Sequence, residues 1–310
     1  MNYNYNQEIE TKLQEFESYL RTKRYAIPTI QQARNYAGVY LSWLSKENKL
    51  VDEIGYNEFS NFIFHLKKDK SVNQTRRIIL SVRHYYESLS IDKNPASGIH
   101  IRGRKTSMLN ELVSYEELEK LYQNYSVLDD RAKRNKVILG ILIYQGITTG
   151  ELQQLETMHL KLDEGKMYIP SKGKTNSRTL ALAPLQLLEL QEYRERIRPK
   201  MLANINAHRS GRKPKQINPI INERLFFSES GNSSIKQSLY HMFRSIKKSH
   251  PKISSGKVIR TTVIAHWLKQ EDIRIVQHKA GHRWVSSTER YNVYNLQELK
   301  EALEKYHPLK

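Results

Sequence analysis

A mainly α chain with a small antiparallel β-sheet, divided into two domains, is the fold class that three observations predict. Apolar residues recur at helical spacing over most of the 310 residues. Strand-type alternation appears only between Met158 and Leu182. A Pro/Gly/Ser break, Asn94-Pro95-Ala96-Ser97-Gly98, stands beside the basic run IHIRGRKTS and splits the chain into two folding lengths. The boundaries that follow are a helical unit over 1–95, a basic linker over 96–109 and a larger unit over 110–310.

In the first unit, Ile9, Leu13, Phe16 and Leu20 line one helix, and Ala33, Tyr36, Ala37, Tyr40, Leu41 and Leu44 a second after the Ile27-Pro28 break. Phe59, Phe62, Ile63 and Leu66 line a third. Asn73 is the expected N-cap of a fourth, which carries Ile78, Ile79, Val82, Tyr85, Tyr86 and Leu89. These aromatic residues read as core. The polar face of the fourth helix gathers Arg76, Arg77, Arg83 and His84, either a solvated face or a set of phosphate contacts. Arg102, Arg104 and Lys105 continue the basic character into the linker.

The second unit opens on a capping box, Ser114 with Glu117, and a staple of Val113 on Leu118. Val137 to Tyr144 is nearly continuous in apolar residues, so its helix lies at the centre of the core. His159–Leu162, Met167–Ile169 and Arg178–Leu182 form three short strands, with Lys172-Gly173-Lys174 in the second turn. A helix starts at Pro184. The segment from Arg198 to Pro219 is rich in Lys, Arg and Asn and is expected to be a loop. Ile235, Leu239, Met242, Phe243 and Ile246 mark a further core helix.

Composition narrows the chemistry. There is no cysteine, which removes disulfides, thiol nucleophiles and thiolate metal sites. No run approaches the roughly 18 apolar residues of a membrane span, and the polar start, MNYNYNQEIE, lacks the apolar core of a signal peptide. A cytoplasmic protein is the expectation. The net charge of +19 calls for a polyanionic partner, most simply nucleic acid.

The chemistry concentrates in residues 257–291, KVIRTTVIAHWLKQEDIRIVQHKAGHRWVSSTERY. Lys257 and Arg260 lie one turn apart on a helix. Gly281-His282 follows a second helix, and Tyr291 stands nine residues past the histidine in a third. Ser286 and Glu289 form a capping pattern that would set Tyr291 in the first turns of that helix. An arginine, a histidine and a late tyrosine at helix ends compose a site that grips a phosphate and attacks it with a phenol. In this order and spacing the chain resembles the tyrosine recombinases, the phage-integrase family, whose signature is HxxR, a Leu-Gly-His type turn and the nucleophilic tyrosine. Here the pattern reads KxxR, Ala280-Gly281-His282 and Tyr291.

The resemblance implies a core-binding DNA-clamp domain at the N-terminus, a tyrosine-recombinase catalytic domain at the C-terminus, and double-stranded DNA as the partner. It implies breakage and rejoining of duplex DNA through a 3′-phosphotyrosyl link, with neither cofactor nor metal, in a mobile element of a prokaryotic, nucleoid-associated setting. Tyr291 takes the place of the nucleophile, with Tyr294 as its rival. Arg260 would neutralise the non-bridging oxygens, His282 would donate to the same phosphate, and Lys172 in the hairpin would protonate the leaving 5′ oxygen. Lys257 fills a slot where histidine is more common, and Lys174 is expected on the DNA backbone. Leu296, Leu299, Leu303 and Tyr306 mark a last helix, which either packs on its own domain or docks into a neighbouring protomer of a tetramer on synapsed DNA.

One departure is large. Matching Gly146, Glu151 and Leu152 to the family's TGLRxxEL motif puts Thr148 where the first catalytic arginine belongs. Thr148 with Glu151 satisfies a capping box instead, and a hydroxyl cannot give the bidentate, permanently charged contact of a guanidinium. Arg178 is the candidate substitute. The readings that stand are a working recombinase and a catalytically impaired relative that regulates by binding DNA. A basic RNA-binding protein and a type IB topoisomerase-like relaxase are the further alternatives.

Overall fold

The computed structural model describes residues 2–102, 112–207 and 219–292. The chain divides into two compact units, Met1–Thr106 and Ser107–Lys310. Arg104, Lys105, Tyr294 and the apolar stripe of the last segment lie outside the described residues.

The first unit is built from α1 (Asn2–Thr22), α2 (Ile27–Lys46), α3 (Tyr56–Asp69) and α4 (Val72–Ser88). Its core is aromatic: Phe16, Tyr40, Phe59, Phe62, Tyr85 and Tyr86 are all sealed from solvent. The buried hydroxyls of Tyr40 and Tyr86 bond to each other at 2.7 Å, and Tyr86 also donates to the Val51 carbonyl at 2.8 Å. That pairing removes the cost of burying a phenol among hydrocarbon. The cap of α4 is Ser71 with Gln74, not Asn73, so the helix begins two residues earlier than expected. Arg76 and Arg77 are exposed on α4. Arg83 is half-buried, and its guanidinium donates to the carbonyls of Ala96 (3.1 Å) and Ile99 (3.2 Å). Ala96 is fully buried and Ile99 and Ile101 pack on the same core, so the start of the expected linker is fastened to this unit.

The second unit starts with α5 (Tyr115–Gln123), capped by Ser114, and α6 (Asp130–Tyr144), capped by Asp129. From Val137 to Ile143 no aliphatic side chain of α6 exceeds 3% exposure, and each contributes roughly 1.5–3 kcal/mol gross. The four-residue helix α7 (Thr149–Leu152) leads into the sheet β1 (Leu160–Lys161), β2 (Lys166–Ile169) and β3 (Arg178–Ala181). Its order is β1-β2-β3, antiparallel throughout, with Met167 opposite Leu180 and Ile169 opposite Arg178. Leu160, Met167, Ile169 and Leu180 turn one face to the core, as period-two alternation requires.

Beyond the sheet come α8 (Pro184–Glu192), a π-helical turn at Tyr193–Ile197 and α9 (Arg198–Ala207). The expected loop from Arg198 is therefore helical over its first ten residues. Met201 and Ile205, spaced by one helical turn, are buried, and Arg198 donates to the carbonyls of Ile221 (3.1 Å) and Asn222 (2.6 Å). The polar composition hid this one apolar pair. The unit is completed by α10 (Lys236–Ser249), α11 (Gly256–Gln270), α12 (Ile273–Ala280) and α13 (Val285–Glu289). Among the described residues no helix is long and apolar enough to cross a membrane.

Candidate active site

Helix α11 runs through the core with almost every residue of its first three turns buried, and it carries Arg260 inward. The guanidinium donates from Nη1 to the Gly146 carbonyl and from Nη2 to the Ala280 carbonyl at 2.7 Å. Both acceptors are at helix ends, where carbonyls lack intrahelical partners. Gly146 follows α6 at φ +56°, and a Cβ there would lie 2.8 Å from the Trp267 ring. Only glycine fits that turn. Burial pulls the Arg260 guanidinium below its ordinary value, while Glu151 and Tyr291 favour its charge. An arginine remains charged under such conditions.

Gly281 ends α12 in the left-handed region at φ +69°, and a Cβ on it would overlap the Arg178 guanidinium. The turn delivers His282, whose Nε2 is 3.0 Å from Arg260 Nη2 and whose Nδ1 is 2.9 Å from Thr288 Oγ1. A guanidinium has only donors, so Nε2 accepts and Nδ1–H donates to Thr288. His282 is thus a neutral imidazole in a fixed tautomer. Burial first, then the charges of Arg260 and Arg178, push it down to about 4. The Tyr291 ring stacks on it, with centroids 5.8 Å apart and planes 16° from parallel. Arg260 also interacts with the Tyr291 side chain, so Arg260, His282 and Tyr291 form one contiguous cluster.

Tyr291 lies just past α13 and not within its first turns. The helix starts two residues earlier than the Ser286 pattern requires, with Trp284 as its N-cap, and ends at Glu289. The Tyr291 N–H closes the next turn on the Thr288 carbonyl at 3.0 Å. Thr288, fully buried, therefore fixes both the histidine and the tyrosine.

The β2–β3 hairpin is joined to this turn. Thr175 pairs with His282 as an antiparallel bridge, and the Asn176 N–H donates to the Gly281 carbonyl at 2.9 Å. That pairing brings the loop of Lys172 beside the histidine. With the Gln154 amide oriented to match its neighbours, its nitrogen donates to the Ser171 carbonyl (3.2 Å) and its oxygen accepts from Lys172 Nζ (3.0 Å). Lys174 is exposed on the same loop, and Lys257 is exposed one turn before Arg260 on α11.

Thr148 caps α7. Its hydroxyl accepts from the Glu151 N–H at 3.1 Å, and its own N–H donates to Glu151 Oε2 at 2.8 Å. The other Glu151 oxygen takes Arg178 Nη1 at 2.6 Å. Arg178 also donates to the carbonyls of Lys279 (2.7 Å) and Asn176 (3.1 Å). Its side chain is sealed from solvent and staples the site from behind, and among the described residues its buried Nη2 has no hydrogen-bond partner. Burial alone would raise the Glu151 carboxyl, but the Arg178 guanidinium and the Thr148 N–H hold it below its usual range. Sequence reasoning missed three supports of the site: Thr288, Gln154 and the Thr175-Asn176 pairing.

Comparison with known proteins identifies the family and the fold. The model of the phage integrase family matches residues 111–298. The tyrosine recombinase XerC of Natranaerobius thermophilus is 28% identical over 269 residues, covering 83% of this chain and 84% of that protein. XerC of Oceanobacillus iheyensis is 24% identical over 317 residues, 97% of each chain. Among solved structures, the XerH site-specific recombinase in a post-cleavage complex with a palindromic difH substrate aligns at a TM-score of 0.66 and 17% identity, covering 90% of this chain and 80% of that one. The Tn1549 transposon integrase in complex with circular intermediate DNA aligns at 0.65 and 15% identity, covering 93% and 98%. With the family model spanning well over half its length, this chain belongs to the phage integrase family and is a tyrosine-type recombinase.

Proposed function

We propose that this protein breaks and rejoins duplex DNA at specific sites through a covalent link to Tyr291, in the service of a mobile element. The observation that carries the reading is the joined cluster of Arg260, His282 and Tyr291, with the Lys172 hairpin paired onto the same turn. The Tyr291 oxygen attacks the scissile phosphorus, the bond from phosphorus to the 5′ oxygen breaks, and a 3′-phosphotyrosyl link with a free 5′-hydroxyl results. Net, one proton passes from the phenol to the leaving oxygen, with Lys172 as the donor at that oxygen. Energy is conserved in the ester, so rejoining is the same step reversed. Arg260 meets the non-bridging oxygens, and His282 donates to the same phosphate from Nε2 once that nitrogen, which accepts from Arg260 in the free protein, carries a proton. Lys257, one turn away, adds charge at the same edge. Arg76, Arg77, Arg102, Arg104, Lys105 and Lys174 contact the DNA backbone. Arg83 is assigned to holding the 96–99 segment. The active assembly is a tetramer on two synapsed sites, with the last segment of the chain docking in the neighbouring protomer.

The missing first arginine supports the second reading, a relative impaired in cleavage that occupies recombination sites. Trapping on nicked half-site DNA, drawn from sequence flanking the gene, separates the two. A protease-sensitive shifted DNA band with wild type, absent with Tyr291→Phe, supports the enzyme. Tight binding without that band supports the regulator.

A further inference from the structure

The chain has three tryptophans. Trp43 and Trp267 are buried at 8% and 6% exposure, whereas Trp284 is 69% exposed. Trp284 lies two residues past His282, so no more than about 7 Å separates their Cα atoms. Its backbone is held on both sides. Upstream, Gln277 Nε2 donates to the carbonyls of His282 (3.1 Å) and Arg283 (3.3 Å). Downstream, the Trp284 carbonyl accepts the Ser287 N–H at 3.0 Å as α13 begins. The indole makes no capping bond. A large flat apolar ring is thus presented to solvent from a fixed backbone, with the exposed Arg283 before it in the chain and the exposed Arg290 six residues after it.

Such a ring flanked by positive charge at the rim of a phosphate site fits one partner chemistry: a nucleobase joined to that phosphate. Nucleotides repeat along one strand at roughly 3.4 Å, so the ring reaches a base within about two nucleotides of the phosphate. In an intact duplex both faces of each base are covered by stacking. At a cut step one face is freed, and an aromatic side chain can take it. We propose that Trp284 stacks on the nucleobase exposed beside the scissile phosphate and holds the broken end in register for rejoining. This rests on the proposed DNA cleavage at Tyr291 and adds a positioning residue to it.

The test uses the full chain carrying Tyr291→Phe, nicked half-site DNA with 2-aminopurine next to the nick, and the matching unnicked duplex. Trp284 supplies the solvent-accessible tryptophan emission. The expected result is that nicked DNA shields this emission from iodide and quenches the 2-aminopurine, and that both effects vanish in Trp284→Ala. That variant binds nicked DNA about tenfold more weakly and intact duplex less than twofold more weakly, while Trp284→Phe retains most of the preference for the nick. Binding of nicked DNA with unchanged iodide access overturns the proposal and leaves the cleavage reading intact. Shielding that follows protein concentration without DNA overturns it in favour of an interface between copies of this chain. Absence of DNA binding by any variant sinks the cleavage reading and this one together.

Discussion

Arg178 and Glu151 form an ion pair at 2.6 Å with both side chains sealed from solvent, and the second carboxylate oxygen holds the N–H of Thr148. The pair joins β3 to the cap of α7, next to the turn that carries His282. Charges sealed in this way are expensive to separate, because the survivor is left buried and unpaired. Glu151→Gln should therefore lower the stability of the second unit by roughly 3–5 kcal/mol, read as a drop in its thermal midpoint. A shift no larger than that of a surface Glu→Gln control would contradict this.

The same pair sets an acid limit. The Glu151 carboxyl is depressed in the folded state, so its stabilisation is present above the unfolded carboxylate range and is lost as pH falls through the folded value. His282 acts in the same direction over a higher window. Its folded value near 4 lies below that of an unfolded histidine, so the unfolded chain binds a proton first as pH drops from about 6.5 to about 4. Stability of the second unit should be flat above about pH 7 and decline below it. In a pH titration by NMR, the His282 ring should remain neutral, with its proton on Nδ1, down to about pH 4; a midpoint near 6.5 would contradict the tautomer assigned from Arg260.

Arg260 donates to the carbonyls that end α6 and α12, and under the proposed function the same guanidinium also meets the phosphate. Arg260→Lys keeps a charge and loses the fork that reaches both. Cleavage of nicked half-site DNA should slow by about 10²–10³-fold, by analogy with loss of one preorganised donor, while gel-shift affinity changes far less. Equal losses in binding and cleavage would assign Arg260 to docking alone.

Thr148→Arg restores the charge that the site lacks and removes a cap. The cap is worth about 1 kcal/mol, and a new donor on the phosphate about 10²–10³-fold in rate. The variant should melt slightly earlier than wild type and form covalent adduct faster. A slower variant would show that the site is tuned around the Thr148–Glu151 cap.

Much of this was readable from the chain. The α6 run, the strand alternation around Met167 and the Ser114 and Thr148 caps each specify local structure through residues close in sequence, and each appears where the pattern placed it. The Arg260, His282 and Tyr291 cluster was readable because short helices and turns fix their separations. The supports of the site were not. Arg178 meets a carboxylate 27 residues away only after the sheet has folded back, and a polar residue count gave no sign of the Met201–Ile205 turn within α9. The capping pattern at Ser286 failed because α13 starts at Val285, which moves Tyr291 beyond the helix end.

The central claim is that one particular phenol carries the DNA. Adduct trapped on nicked half-site DNA should be digested with protease and nuclease and its peptides sequenced by mass spectrometry. The account predicts a nucleotide joined through its 3′-phosphate to Tyr291, in the peptide that begins after Arg290. A nucleotide on Tyr294, or adduct formation that persists in Tyr291→Phe, would contradict it.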